Sequence, residues 1–299
     1  MPSTLLQPDV LTRAAALGLA ARQVVEGLRV GDHKSPYRGF SVEFVQHREY
    51  VPGDDVRHID WKSYARNDRY TLKQYEQETN YVGHLLVDVS NSMRYGDGPA
   101  NKLQYAKLLA ASLAYLIVQQ RDSAAVRLFA DDWRGELPAG SQAGHVHAVC
   151  RLLEAAEAGA KTGVGPLLER FAERVTRRGI VFLVSDCFTD VPGLLKGLQH
   201  LRFRGHEVVL FHVLHRDEEE FPLDGHVRFL DLEGAEQIRA RPHLLRPAYL
   251  RAVNAYLAEL SAGCDHGRIG YVKLRTDRPL APALADYLIR RRQLGRAPS

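Results

Sequence analysis

The residues best suited to do chemistry are a set of hard oxygen donors: Asp88, Ser90 and Ser92 in the run Asp88-Val89-Ser90-Asn91-Ser92, then Thr162 and Asp186 far downstream. A carboxylate and two hydroxyls on alternate residues can turn their oxygens toward one point where a strand gives way to a loop. Thr162 sits in the loop Lys161-Thr162-Gly163, and Asp186 ends a long apolar run. Magnesium suits such donors, because it prefers octahedral oxygen ligation, keeps several waters and is held by one or two carboxylates. Manganese fits the same set. Two acids and three neutral hydroxyls do not fill the shell of the ion, so the site should accept one more anionic oxygen, such as a partner protein's carboxylate.

The elements around these residues must deliver them to one place. The apolar run Leu85 to Val87 ends at Asp88, a helix is expected from about Lys102 to Gln119, and a second strand covers Ala124 to Phe129. Trp133 to Leu137 follows too closely for a crossover helix and is read as an antiparallel partner. Helices at about His145 to Ala156 and Gly165 to Val175 lead to the buried strand Ile180 to Val184. A helix at Gly193 to Leu201, a strand at Val208 to Leu214, a helix from Pro247 to Leu260 and a strand at Tyr271 to Leu274 complete the pattern. Strands alternating with crossover helices predict an α/β domain with a doubly wound, mostly parallel sheet over residues 81–299. Its binding crevice lies beyond the carboxyl ends of the strands, where Asp88 and Asp186 fall. The acidic run Asp217 to Glu220 reads as a solvated loop.

Residues 1–80 differ in texture and are expected to form an N-terminal helix, Asp9 to Leu28, and a small β-rich module. Extended pieces are expected around Ser41 to His47, Val56 to Trp61 and Tyr70 to Gln77. Pro52 to Asp55 has turn chemistry, Trp61 is expected to anchor a core, and Arg57 with Asp60 could form an ion pair.

Composition narrows the function. The chain has 299 residues, 45% of them hydrophobic, 25% charged and 8% aromatic, with a formal charge of +4. These are values for a folded globular protein. The basic residues are dispersed and no nucleic-acid motif is present, so no nucleic-acid partner is expected. Three cysteines without paired spacing suggest neither a disulfide framework nor a zinc site. The apolar stretch Leu11 to Val25 contains Arg13 and Arg22 and is too short to span a bilayer. No signal peptide or transmembrane segment is read, and a cytoplasmic location is expected.

The pattern Asp-x-Ser-x-Ser with a loop Thr and a strand-end Asp resembles the metal-ion-dependent adhesion site of von Willebrand factor type A domains. Arg48-Glu49-Tyr50-Val51-Pro52-Gly53-Asp54-Asp55 and Ile59-Asp60-Trp61 further resemble the bacterial domain of unknown function 58 family. The likeness runs from about Gly27 to Arg292 and includes Thr276 to Leu280 and Leu284 to Ile289. The resemblance implies a von Willebrand factor type A-like, Rossmann-like fold with Asp88, Ser90, Ser92, Thr162 and Asp186 around Mg2+ or Mn2+. It also implies work beside a MoxR-type AAA+ ATPase, or a client of one, in a chaperone-like or adaptor role.

Other signals are weaker. Cys187 beside Asp186 could suggest a thiol nucleophile with His58 or His212 as base, but no nucleophile signature surrounds it. The Gly96-Asp97-Gly98-Pro99 loop lacks the spacing of a phosphate cradle. The expected function is therefore non-enzymatic, metal-dependent protein interaction; the alternative is a metal-assisted hydrolase that uses the same ion. No acid or base is evident in the three site loops to serve the hydrolase.

Overall fold

The computed structural model describes residues 42–49, 61, 64, 70–77, 82–159, 163–230 and 237–294. They fall into two units, one within Lys34–Tyr81 and one running from Val82 onward. In the first, β1 (Val42–Glu49) pairs antiparallel with β2 (Thr71–Gln77), with a register shift between Phe44 and Gln46. Trp61 is helical rather than extended. It is also 59% exposed, so it is not the buried anchor that its size suggested. Its ring meets Tyr64 edge-on at 6.2 Å, and Tyr64 stacks on Tyr70 at 4.5 Å. Aromatic pairing of this kind holds a ring without enclosing it. The expected helix Asp9 to Leu28, the extended piece Val56 to Asp60 and the Arg57 and Asp60 pair lie outside the described residues.

The second unit is built on a six-stranded sheet: β3 (Val82–Asp88), β4 (Ser123–Phe129), β5 (Trp133–Gly140), β6 (Gly179–Ser185), β7 (Glu207–Leu214) and β10 (Gly270–Arg275). Its order is β10-β7-β6-β3-β4-β5, parallel except for β5. The α/β class, doubly wound and mostly parallel, is the one predicted. β3 and β6 are buried along their whole length, and continuous apolar runs are what strands covered on both faces require. β5 is an edge strand with every second residue facing solvent over most of its length and Pro138 within it, a residue that central strands exclude.

Helices cover the sheet: α1 (Lys102–Gln119), α2 (Ala143–Glu154), α3 (Val164–Arg174), α4 (Val191–Phe203), α5 (Arg216–Glu220), α6 (Pro242–His266) and α7 (Leu280–Leu294). α1 starts at Asn101, whose side chain accepts from Gln104 N at 3.1 Å, and α4 starts at Asp190, which accepts from Gly193 N at 2.7 Å. α3 and α4 approach through small residues: a Cβ on Gly165 would lie 3.1 Å from the Gly193 backbone, and one on Gly197 would lie 2.8 Å from Leu168 Cβ. An alanine at either site would push the two helices apart.

Two local expectations change, and one pair of strands is new. The acidic run is a helix, α5, and not a solvated loop, because every one of its carboxylates has a partner. α6 begins at Pro242, which occupies the first turn where a missing N–H costs nothing, and it continues through Pro247. A small antiparallel pair of strands, β8 (Val227–Leu230) and β9 (Gln237–Ala240), precedes it. Its strands are too short and too polar to show an alternating pattern.

One core residue sets a pH limit on the unit. His84 on β3 is 7% exposed, packs edge-on against Phe171 at 5.5 Å, and has no hydrogen-bond partner on either ring nitrogen among the described residues. Burial first, then the charge of Arg127 and His206, lowers it from 6.5 to about 3. Folding therefore favours the neutral ring, and that stability is present above 6.5 and lost as pH falls toward 3. His84→Leu should raise stability by about 1 to 3 kcal/mol, since it removes unsatisfied polar atoms, and the gain should be larger at about pH 5 than at about pH 8. Thermal melts followed by circular dichroism at both pH values check this, and a variant that melts below wild type at the acidic pH refutes it.

Candidate functional site

β3 and β6 are hydrogen-bonded neighbours, with Val87 opposite Val184. The connection after β3 runs through α1 to β4 on one side, and the connection after β6 runs through α4 to β7 on the other. Their carboxyl ends thus flank the switch point where an open α/β sheet forms its crevice. Asp88 is the last residue of β3, and Asp186 is the first residue beyond β6. Both are fully buried.

The Asp88 carboxylate is fixed from two directions. Ser185 Oγ donates to Oδ2 at 2.6 Å, and the Ser90 N–H donates to Oδ1 at 2.8 Å. Ser90 and Ser92 turn back over it at the start of a short 3₁₀ turn, Asn91–Arg94, with their hydroxyl oxygens 3.0 Å apart. Adjacent oxygens of an octahedral magnesium shell, at metal–oxygen distances of about 2.0–2.1 Å, stand about 3 Å apart. The two hydroxyls hydrogen-bond to each other at that distance, and the same separation is compatible with such an edge, so the hydroxyls and the carboxylate beside them are a donor set of the type a hydrated divalent ion takes. As a candidate for a metal site the set is unusual in one respect. Among the described residues no group of three or more His, Cys, Asp or Glu side chains is placed to hold a metal, so the hydroxyls would have to supply part of the shell.

Asp186 is engaged differently. Its Oδ2 accepts from Lys102 Nζ at 2.6 Å, its Oδ1 accepts from the Phe188 N–H at 3.2 Å, and its carbonyl lies 2.9 Å from His212 Nε2. Lys102 is the first residue of α1, is fully buried, and also donates to Glu218 Oε1 at 2.6 Å. Burial opposes the charge of Lys102, but Asp186 and then Glu218 outweigh it and hold the ammonium above its ordinary range. Its Nζ also lies 4.9 Å from the centre of the Phe188 ring. Sequence reasoning missed Lys102 and Glu218. One resembles any lysine opening an amphipathic helix, and the other sits in a run of like charges.

Of the five predicted donors, the structure brings together Asp88, Ser90, Ser92 and Asp186, with Asp186 paired to Lys102. Thr162 lies outside the described residues. Its neighbour Gly163 donates through its N–H to the Ala130 carbonyl at 3.0 Å, just past the end of β4 beside β3. Cys187 is not a nucleophile here: it is fully buried, and burial, followed by the charge of Asp186, drives its thiol well above the ordinary range. Nor is His212 its base. Its Nδ1 lies 2.9 Å from Tyr271 Oη and its Nε2 faces the Asp186 carbonyl, while burial keeps the ring neutral by lowering it to about 4.

Without a cation of its own, Asp88 is the costly member of the pair. Burial first, then the charge of Asp186, pushes its carboxyl from 3.8 up to about 7. The stability tied to the protonated form is full below 3.8 and lost as pH rises through about 7. In EDTA, Asp88→Asn should stabilise the protein by about 2 to 4 kcal/mol at about pH 8, and by much less at about pH 5. Urea denaturation at the two pH values measures the difference, and a variant weaker than wild type at the higher pH contradicts the electrostatic account.

Among the described residues no helix is long and apolar enough to cross a membrane. In comparisons with known proteins, the family described as Protein of unknown function DUF58 matches residues 46–258. A curated relative, Uncharacterized protein Rv1480 of Mycobacterium tuberculosis, is 26% identical over 290 residues, covering 96% of this chain and 91% of its own. Among solved structures, the conserved hypothetical protein BatB from Bacteroides thetaiotaomicron aligns with a TM-score of 0.47 and 20% identity over 71% of this chain and 99% of its own. The SpRpn10 VWA domain aligns with a TM-score of 0.39 and 11% identity over 73% of this chain and 98% of its own.

Proposed function

The chain belongs to the family described as Protein of unknown function DUF58, and from that premise we propose that its α/β unit is a protein-interaction module of the von Willebrand factor type A kind. It holds a divalent cation, Mg2+ or Mn2+, through Asp88, Ser90 and Ser92, with Asp186 behind them and Thr162 as a further ligand by resemblance. The observation that carries this reading is the pair of serine hydroxyls 3.0 Å apart above a buried carboxylate at the sheet's switch point. When bound, the ion supplies a coordination position for an anionic oxygen from outside the chain.

The chain's own residues prepare that position. Ser185 Oγ and the Ser90 N–H hold Asp88 in one orientation, so the carboxylate need not reorganise. The Tyr95 N–H donates to the Ser92 carbonyl at 3.3 Å and the Met93 N–H to the Ser90 carbonyl at 3.1 Å, which keeps both serines in the turn. Phe188 stands near Lys102 and is 43% exposed, giving a partner an apolar contact next to the polar one. Binding is favoured over hydrolysis because the nearby His212 and Glu218 are already engaged, the first with Tyr271 and the second with Lys102 and the His215 N–H.

The partner class follows from the family resemblance: a MoxR-type AAA+ ATPase or a client of one, offering an Asp or Glu side chain. Its binding to the immobilised protein should require magnesium and disappear in EDTA. Ser90→Ala combined with Ser92→Ala should reduce affinity at least about tenfold while the fold survives, because the hydroxyls lost are ligand oxygens. Surface plasmon resonance with a purified ATPase of that class makes the measurement. Wild-type affinity for the double variant in magnesium would assign the interaction to another face.

A further inference from the structure

Lys102 presents an unusual arrangement. A lysine at the first position of a helix sits at the positive end of the helix dipole, and this one is also fully buried. Both conditions disfavour it, yet its ammonium bridges Asp186 and Glu218 at 2.6 Å each. Glu218 belongs to α5, whose other carboxylates reach outward. Asp217 accepts from Tyr95 Oη at 3.0 Å, Glu219 from Lys273 at 2.5 Å and from Arg275 at 3.4 Å, and Glu220 from Arg216 at 2.7 Å and from Arg275 at 2.8 Å. The buried end of the network therefore touches the candidate ion site, and its outer end ties α5 to β10.

We propose that Lys102 is a built-in cation that shares Asp186 with the divalent ion, and that Glu218 takes up the ammonium when the ion enters. The inference rests on the ion-site reading above and adds its regulation. The pocket contains three carboxylates, Asp88, Asp186 and Glu218, against one ammonium. Two cations at one carboxylate repel each other strongly at this depth, where water screens little. The ammonium already has a second anion at the same distance, so it can give up Asp186 without losing all its compensation. Ion occupancy thus tightens the Lys102 hold on α5, and Lys102 sets how weakly the free protein binds the ion.

Calorimetric titration with MnCl2 tests this on the full chain as wild type, Lys102→Met, Glu218→Gln, Lys273→Met and Asp88→Asn. Lys102→Met should bind Mn2+ at least about tenfold more tightly, and Glu218→Gln should bind more weakly because the ammonium is confined to Asp186. Lys273→Met removes a cation of the same network that does not touch Asp186, and it should match wild type within about threefold. Should Lys102→Met fail to fold, the Glu218→Gln and Lys273→Met pair still decides. Wild-type affinity in folded Lys102→Met, or in Glu218→Gln, or equal tightening by Lys273→Met, overturns the role of Lys102 while leaving the ion site standing. Absence of Mn2+ binding by wild type, or its retention by Asp88→Asn, instead removes the ion-site reading on which the proposal depends.

Discussion

Asp88 and Asp186 occupy the ends of two adjacent parallel strands, both fully buried, and a folded chain cannot leave two such carboxylates uncompensated. The fold answers each differently. Asp88 receives hydrogen bonds from a neighbouring hydroxyl and its own loop, while Asp186 receives the ammonium of Lys102. Much of the surrounding architecture serves these two answers. Asn101 fixes the start of α1 and so the origin of the Lys102 side chain. The capping box between His215 and Glu218 fixes α5 at the end of β7, and that places the second anion.

The turn after β6 carries a further consequence of the same constraint. Cys187 adopts a left-handed backbone conformation, φ 57°, uncommon for a residue with a side chain. Its N–H donates to Ser185 Oγ at 2.9 Å, its carbonyl accepts from Tyr256 Oη at 2.5 Å, and the next N–H, that of Phe188, returns to Asp186. Held at three points, the chain reverses within a few residues and turns Phe188 outward while Cys187 goes into the core. Strain of this kind persists only where the surroundings over-determine it, which is the condition under which a donor such as Asp186 keeps one position.

Sequence periodicity was enough to locate β3, β4, β6 and β7 and the helices between them, because strands covered on both faces demand uninterrupted apolar runs. It also placed Asp88 and Asp186 at the sheet's crevice, since strand ends and the switch-point rule are legible without side-chain coordinates. Lys102 was invisible for a physical reason. Its partners lie 84 and 116 residues away, and a local window sees only a helix start. Glu218 was hidden in the same way, among Asp217, Glu219 and Glu220, equally acidic residues that differ from it in the partners they reach. Trp61 shows the converse: size suggested burial, but a ring held edge-on by a neighbouring tyrosine can remain 59% exposed.

The charged network of α5 is better understood by its depth than by its number of pairs. Its outer bridges, those of Arg216, Lys273 and Arg275, have a side chain in water, where each ion pair contributes roughly 0 to 1 kcal/mol. The Lys102 pairs are shielded, and removing one partner of a buried pair typically costs about 3 to 5 kcal/mol. A five-residue helix has little stability of its own, because nucleating a turn costs more than so few hydrogen bonds return. Its seat is therefore decided at the buried end. Asp186 and α5 share one buried ammonium, that of Lys102, while the pairs with β10 lie on the other side of the helix's carboxylates, away from that contact.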